Sequence, residues 1–180
     1  NIGDFPPDPT GASVTGVPNA VVAGNLDGNG GGGEFDDLVV TVSEGPDQPG
    51  RVVVLLTRYE GETYHPLVSE YTVGRAPVAL ALGNFTNVGS SGLDIAVVNS
   101  GDDEVMLLAN VGASGNFGNV QAPDRPRFFA GINPVAVAAG DFDGDSLDDV
   151  FVANDLGEGG PGQVRGLGGD GASGLTAWGP

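Results

Sequence analysis

Hydrophobic residues along this chain gather in short runs, each closed off by Gly, Asp, Asn or Pro. Runs such as Val21–Ala23, Val78–Leu82 and Val135–Ala139 are strand-length, and no segment sustains the 3.6-residue spacing of an amphipathic helix. The pattern predicts an all-β chain. The runs also recur in phase. Three copies open Pro18-Asn-Ala-Val-Val-Ala-Gly24-Asn25, Pro77-Val-Ala-Leu-Ala-Leu-Gly83-Asn84 and Pro134-Val-Ala-Val-Ala-Ala-Gly140-Asp141. After a polar loop they resume with Asp37-Leu-Val-Val, Asp94-Ile-Ala-Val and Asp149-Val-Phe-Val. The opening prolines stand 59 and 57 residues apart, the period of a small β unit that must lean on its neighbours to bury a core.

Each period is predicted to hold four short strands, in the second copy about Val78–Leu82, Asp94–Asn99, Glu104–Ala109 and Arg127–Phe129. Asn99-Ser-Gly-Asp102 and Gly112-Ala-Ser-Gly-Asn116 supply the turns between them. Tandem four-stranded antiparallel units point to propeller-type blades. The predicted organisation is an orphan outer strand and linker at 1–17 (strand about Ala12–Thr15), then blades at 18–76, 77–133 and 134–180. The third blade is expected to be incomplete, its outer strand coming from another segment or chain. Three blades do not close a ring, since propellers typically have about four to eight. The expectation is therefore a longer array or association between chains. A start at Asn1 without a leader points to a processed form or an excised part.

Composition narrows the function. The chain has 33 glycines and 13 prolines, and its 24 acids against 6 bases give a formal charge of −18. All the bases are Arg. Such a surface repels phosphate backbones, so nucleic acid and anionic membrane are excluded as partners, while divalent cations are favoured. No apolar run is long enough to insert in a membrane as a helix. The absence of Cys rules out disulfide and thiol chemistry.

The acids cluster in the loop after each first strand. In the third copy, Asp141-Phe-Asp143-Gly-Asp145-Ser-Leu147-Asp148-Asp149 places carboxylates at positions 1, 3, 5 and 9. With the Leu147 carbonyl at position 7 and water, these meet the six to eight oxygens that Ca2+ requires. An EF-hand fails because position 6 is Ser146, position 12 is Val152, and the flanks are strands. The first copy offers a weaker site from Asn25, Asp27, Asn29 and Asp37 across a loop lengthened by Gly30–Gly33. The second copy has Asn84, Thr86, Asn87 and Asp94, where side-chain hydrogen bonds are expected to replace a metal. Asn84-Phe-Thr86 is also a glycosylation sequon.

Enzyme signatures are thin, and the paired acids are too dense for any one pair to be singled out. His65 is the single histidine and sits beside Pro66, and no G-x-S-x-G, Walker or H-E-x-x-H motif occurs. No catalytic residue or organic cofactor is expected.

The stretch Pro134–Asn154, its counterpart Pro77–Asn99, and Gly115-Asn-Phe117 before the third copy resemble the FG-GAP/VCBS repeats of integrin-α propellers and microbial surface proteins. The resemblance implies a propeller blade with calcium between its first two strands, on Asp141, Asp143, Asp145, Leu147 and Asp149. The lengthened loops of the first two copies depart from that pattern. The function expected is a calcium-stabilised extracellular or cell-surface structural and adhesive module that self-assembles. Its partners would be neighbouring blades or identical chains, and beyond them glycans or a cell-surface protein. The alternative is a carbohydrate-binding propeller using Tyr59, Tyr64, Phe117 and Trp178 as platforms. A polysaccharide-acting enzyme ranks below both.

Overall fold

The computed structural model describes residues 16–28, 36–60, 63–64, 66–86, 92–111, 115–117, 125–157, 160–171 and 174–178. The expected strand Ala12–Thr15 lies outside the described residues, as do Asn29, His65 and Asn87.

The described residues form strands and turns with no helix. The first sheet contains β1 (Val17–Gly24), β2 (Asp37–Ser43), β3 (Pro49–Leu56) and β6 (Leu67–Arg75), paired in that order. A small hairpin that the pattern of hydrophobic runs does not announce, β4 (Tyr59–Glu60) with β5 (Thr63–Tyr64), interrupts the return from β3 to β6. The second sheet orders β7 (Pro77–Gly83), β8 (Asp94–Asn99), β9 (Glu104–Leu108) and β10 (Arg127–Phe129). The third orders β11 (Pro134–Gly140), β12 (Asp149–Asn154), β13 (Gln163–Gly169) and β14 (Leu175–Ala177). All three are antiparallel four-stranded sheets, as expected of propeller-type blades. The third sheet departs from expectation in one respect. Its fourth strand is its own, because β14 pairs with β13 through Leu167↔Ala177, Gly168↔Thr176 and Gly169↔Leu175. Only three residues long and preceded by Gly174, β14 carries too weak a hydrophobic signal to be read from sequence.

The copies agree in detail. Each first strand has a bulge at the same place, between Pro18 and Ala20, Pro77 and Ala79, and Pro134 and Ala136. A bulge there bends the strand just after its proline, which has no N–H for the ladder.

The sheets stack face to face through their first strands, β1 on β7 and β7 on β11. One core joins Val39, Val52 and Val54 of the first sheet to Leu80, Ile95, Val97 and Met106 of the second. The other joins Ala96, Val98, Val105 and Leu107 of the second to Val150, Val152 and Leu167 of the third. Alternate residues of β8 thus face opposite neighbours, and every one of them is buried. A strand covered on both faces must be apolar throughout, which is why Ile95-Ala-Val-Val98 shows no polar alternation. At about 1.5–3 kcal/mol for each large side chain buried, these two interfaces are the main source of stability.

Candidate metal centre

Each of the three loops is built on the aspartate that opens the second strand. The Asp37 carboxylate accepts the Leu26 N–H at 2.9 Å with Oδ2 and the Thr57 N–H at 2.7 Å with Oδ1. Asp94 accepts the Phe85 and Thr86 N–H groups at 3.1 and 2.9 Å with Oδ2 and the Asn110 N–H at 2.7 Å with Oδ1. Asp149 accepts the Phe142 N–H at 2.8 Å and the Gly169 N–H at 3.1 Å. In every copy one carboxylate therefore ties the loop after the first strand to the end of the third. All three aspartates are buried. Burial raises the Asp37 and Asp94 carboxyls above the usual range, outweighing the donors that pull the other way.

The copies differ at the third loop position, occupied by Asp27, Thr86 and Asp143. In the first copy the buried Asp27 is ion-paired with the Arg58 guanidinium. In the second, the Thr86 hydroxyl donates to Asp94 Oδ2 at 2.9 Å, so a neutral group holds the carboxylate. Among the described residues, the third loop has no such internal substitute. Oxygens of Asp141, Asp143 and Asp149 lie within 4.8 Å of one another, with Asp141 and Asp143 exposed and Asp149 buried beneath them.

The loop's own main chain shapes this cluster. Asp141 accepts the Gly144 N–H at 2.7 Å and the Ser146 N–H at 3.1 Å, and Asp143 accepts that of Asp145 at 3.1 Å. Gly144 and Ser146 have φ of 84° and 75°, and these left-handed residues curl the loop around its carboxylates. Asp145, expected as a ligand, is not part of the three-carboxylate group, and its Oδ1 accepts the Leu147 N–H at 2.8 Å. The donor set consists of hard oxygens without His or Cys, which fits a hard divalent cation and not zinc. The carboxylate oxygens that accept loop N–H groups retain a second lone pair for such an ion.

In the first copy, Asp27 is engaged by the Arg58 guanidinium and Asn25 accepts the Gly28 N–H at 2.8 Å; neither belongs to a group of three carboxylates among the described residues. Two residues with a role were not singled out by the sequence reading. Arg58 is far from the loop in sequence and had no local signal. Asp148 accepts the Asn84 N–H at 2.7 Å, and its own N–H donates to the Asn84 carbonyl at 2.9 Å, which links the third sheet to the second. The doubled acid Asp148-Asp149 was the available clue.

Phe117 is corrected as a ligand platform. It is buried in the first core and meets Tyr71 edge-on at 5.5 Å. The side chains of Tyr59 and Tyr64 lie outside the described ones. Trp178 is exposed, and with Phe151 and Phe142 it forms a line of edge-on contacts at 5.2 and 4.6 Å.

Residues 133–167 match the family model described as FG-GAP repeat, a span covering β11, the acidic loop, β12 and most of β13. The family resemblance read from the sequence therefore holds at the third copy. No curated protein matches the chain. Among the described residues, no helix is long and apolar enough to cross a membrane.

Proposed function

We propose that this chain is a calcium-stabilised structural and adhesive repeat module that works outside the cell or at its surface and functions by assembly of its blades with others. The observation that carries the reading is the convergence of the Asp141, Asp143 and Asp149 carboxylates in the loop of an FG-GAP repeat. A divalent ion there would neutralise mutual repulsion among three acids and fasten the loop to β12. It would act as a staple, with no chemistry to perform. The net charge of −18 agrees with surroundings rich in cations, where that charge is screened. No catalytic role is assigned. Titration calorimetry of the chelator-treated chain with calcium tests the proposal, with one equivalent expected at the third loop and a higher melting temperature on binding. Absence of calcium heat and of any chelator effect on melting would overturn it.

A second reading, carbohydrate binding, draws on the exposed Phe142 and Trp178 beside the acidic loop. Aromatic faces next to a bound cation suit sugar rings. Binding to a glycan array that vanishes in Trp178→Ala would favour this reading over adhesion through protein contacts.

A further inference from the structure

The first loop position is held by Asn25, Asn84 and Asp141 in the three copies, and only in the second is the side chain left free. Asn25 accepts the Gly28 N–H at 2.8 Å, and Asp141 accepts the Gly144 and Ser146 N–H groups at 2.7 and 3.1 Å. Both side chains thus fold back into their own loops. The Asn84 amide makes no hydrogen bond among the described residues and is exposed. Its main chain is the opposite case. Asp148 of the third sheet accepts the Asn84 N–H at 2.7 Å and donates to the Asn84 carbonyl at 2.9 Å. The next two residues, Phe85 and Thr86, turn into the protein and are 0% and 6% exposed. The second sheet has a neighbour on each side, so Asn84 is exposed with both neighbours in place.

The chain contains a single Asn-X-Ser/Thr triplet, and it is Asn84-Phe85-Thr86. An enzyme that glycosylates such a triplet binds it as an extended segment and reads the hydroxyl two residues after the asparagine. In the folded chain that hydroxyl is buried and donates to Asp94 Oδ2 at 2.9 Å, while both main-chain groups of Asn84 are engaged by Asp148. Only the amide is left to solvent. In the growing chain the whole triplet is open. Asp148 follows Asn84 by 64 residues, about 3–13 s of synthesis at about 5–20 residues per second.

We infer that Asn84 is an acceptor for an N-linked glycan, attached before the third sheet docks on the second. The inference rests on the extracellular element of the proposed function, because the donor and its transferase act on chains leaving the cell interior. The donor is an oligosaccharide carried on a polyprenyl pyrophosphate. Asn84 Nδ2 forms a bond to the anomeric carbon of the sugar, and the bond from that carbon to the pyrophosphate oxygen breaks. The pyrophosphate leaves as an anion, and the nitrogen gives up one proton to a basic group of the transferase. Folding then proceeds around the modified residue, since the loop makes no use of the Asn84 amide. The glycan stands where the second and third sheets meet, beside the Asp141–Asp149 loop, and keeps other macromolecules off that part of the rim.

Secretion of the whole chain from a eukaryotic host, with intact-mass measurement before and after an amidase that releases N-linked glycans, tests the inference. The wild-type chain is expected to be heavier than its 17.9 kDa polypeptide and to return to that mass on digestion, with Asn84 converted to Asp. Asn84→Gln and Thr86→Val are expected to lose the added mass, and Thr86→Ser, which keeps the hydroxyl, to retain it. Asn84→Gln is expected to melt at the temperature of the deglycosylated wild type, which shows that it folds. Folded chain from a host without the transferase, given the transferase and donor afterwards, is expected to stay unmodified. A secreted wild type without glycan overturns the inference, as does added mass that persists in Asn84→Gln. Modification of the already folded chain overturns the order of events. Calcium-dependent melting of the same samples separates the two readings. Calcium stabilisation of a chain that carries no glycan sinks the glycan alone, and a glycan on a chain indifferent to calcium sinks the metal reading alone.

Discussion

The Asp94 carboxylate accepts the main-chain N–H of Asn110 at 2.7 Å, closing the far end of β9 onto the start of β8. The same side chain holds the Phe85 and Thr86 N–H groups and the Thr86 hydroxyl, so four donors converge on one buried acid. Asp94→Ala would leave those donors buried and unsatisfied. The expected loss is about 3 kcal/mol or more in urea unfolding. Substitution of the exposed Asp143 in chelator is expected to change stability by less than about 0.5 kcal/mol.

Calcium reverses that ranking at the third loop. At calcium about 100-fold above Kd, the wild-type chain should gain about 2.7 kcal/mol, and Asp143→Ala should gain little or none. Thermal melts of both proteins in calcium and in chelator measure the difference directly. An equal calcium response in the two would place the ion elsewhere.

Arg58 occupies in the first copy the role a metal would take in the third. Arg58→Gln leaves the buried Asp27 without its guanidinium, and because the Arg58 side chain is 35% exposed the expected cost is about 1 kcal/mol in chelator. Added calcium is expected to recover part of that loss in the variant and to bind with a second equivalent in calorimetry. Recovery that fails to appear would mean that the loop cannot admit an ion even when the cation is removed.

The acid limb of stability should report Asp102. Burial acts to raise its carboxyl, but the Arg75 N–H at 2.6 Å, the Arg75 side chain at 2.7 Å and its charge together hold it below the ordinary value of 3.8. Its folded value lies below its unfolded one. Its contribution is therefore complete above about pH 4 and is lost as pH falls through the folded value. Melting temperature followed downward from about pH 6 should fall less steeply below pH 4 in Asp102→Asn than in the wild type. Asp94, raised by burial, has the opposite sign: its ionisation lowers stability as pH rises through its folded value.

The positions of strands were legible because covering a strand on both faces demands continuous apolar residues, and Ile95–Val98 or Val52–Leu55 can hardly be anything else. The acidic loop was legible for a similar reason, since its carboxylates are held by neighbours a few residues away, as Gly144 and Ser146 are held by Asp141. Repetition supplied the remainder, because three copies in phase fix which residues correspond. Most boundaries shifted by one or two residues, and β1 begins at Val17, four residues before the run Val21–Ala23, because its ladder with β2 continues past the bulge at Pro18.

Relationships across long sequence separations were decided only in three dimensions. The Arg58–Asp27 pair spans 31 residues and the Asp148–Asn84 link spans 64. No local spacing encodes either, since each depends on where a separate sheet places its edge. The same holds for Phe117, whose aromatic ring enters the core shared by the first two sheets instead of a binding surface, edge-on to Tyr71. Sequence alone determined the unit, most of its strands and the acids that open each second strand, all short-range consequences of chain geometry; β14 and the β4–β5 hairpin were not among them. Tertiary structure decided which loop acids are spent on main-chain N–H groups, which one meets a guanidinium and which three lie together, because those outcomes depend on the packing of one strand and one copy against the next.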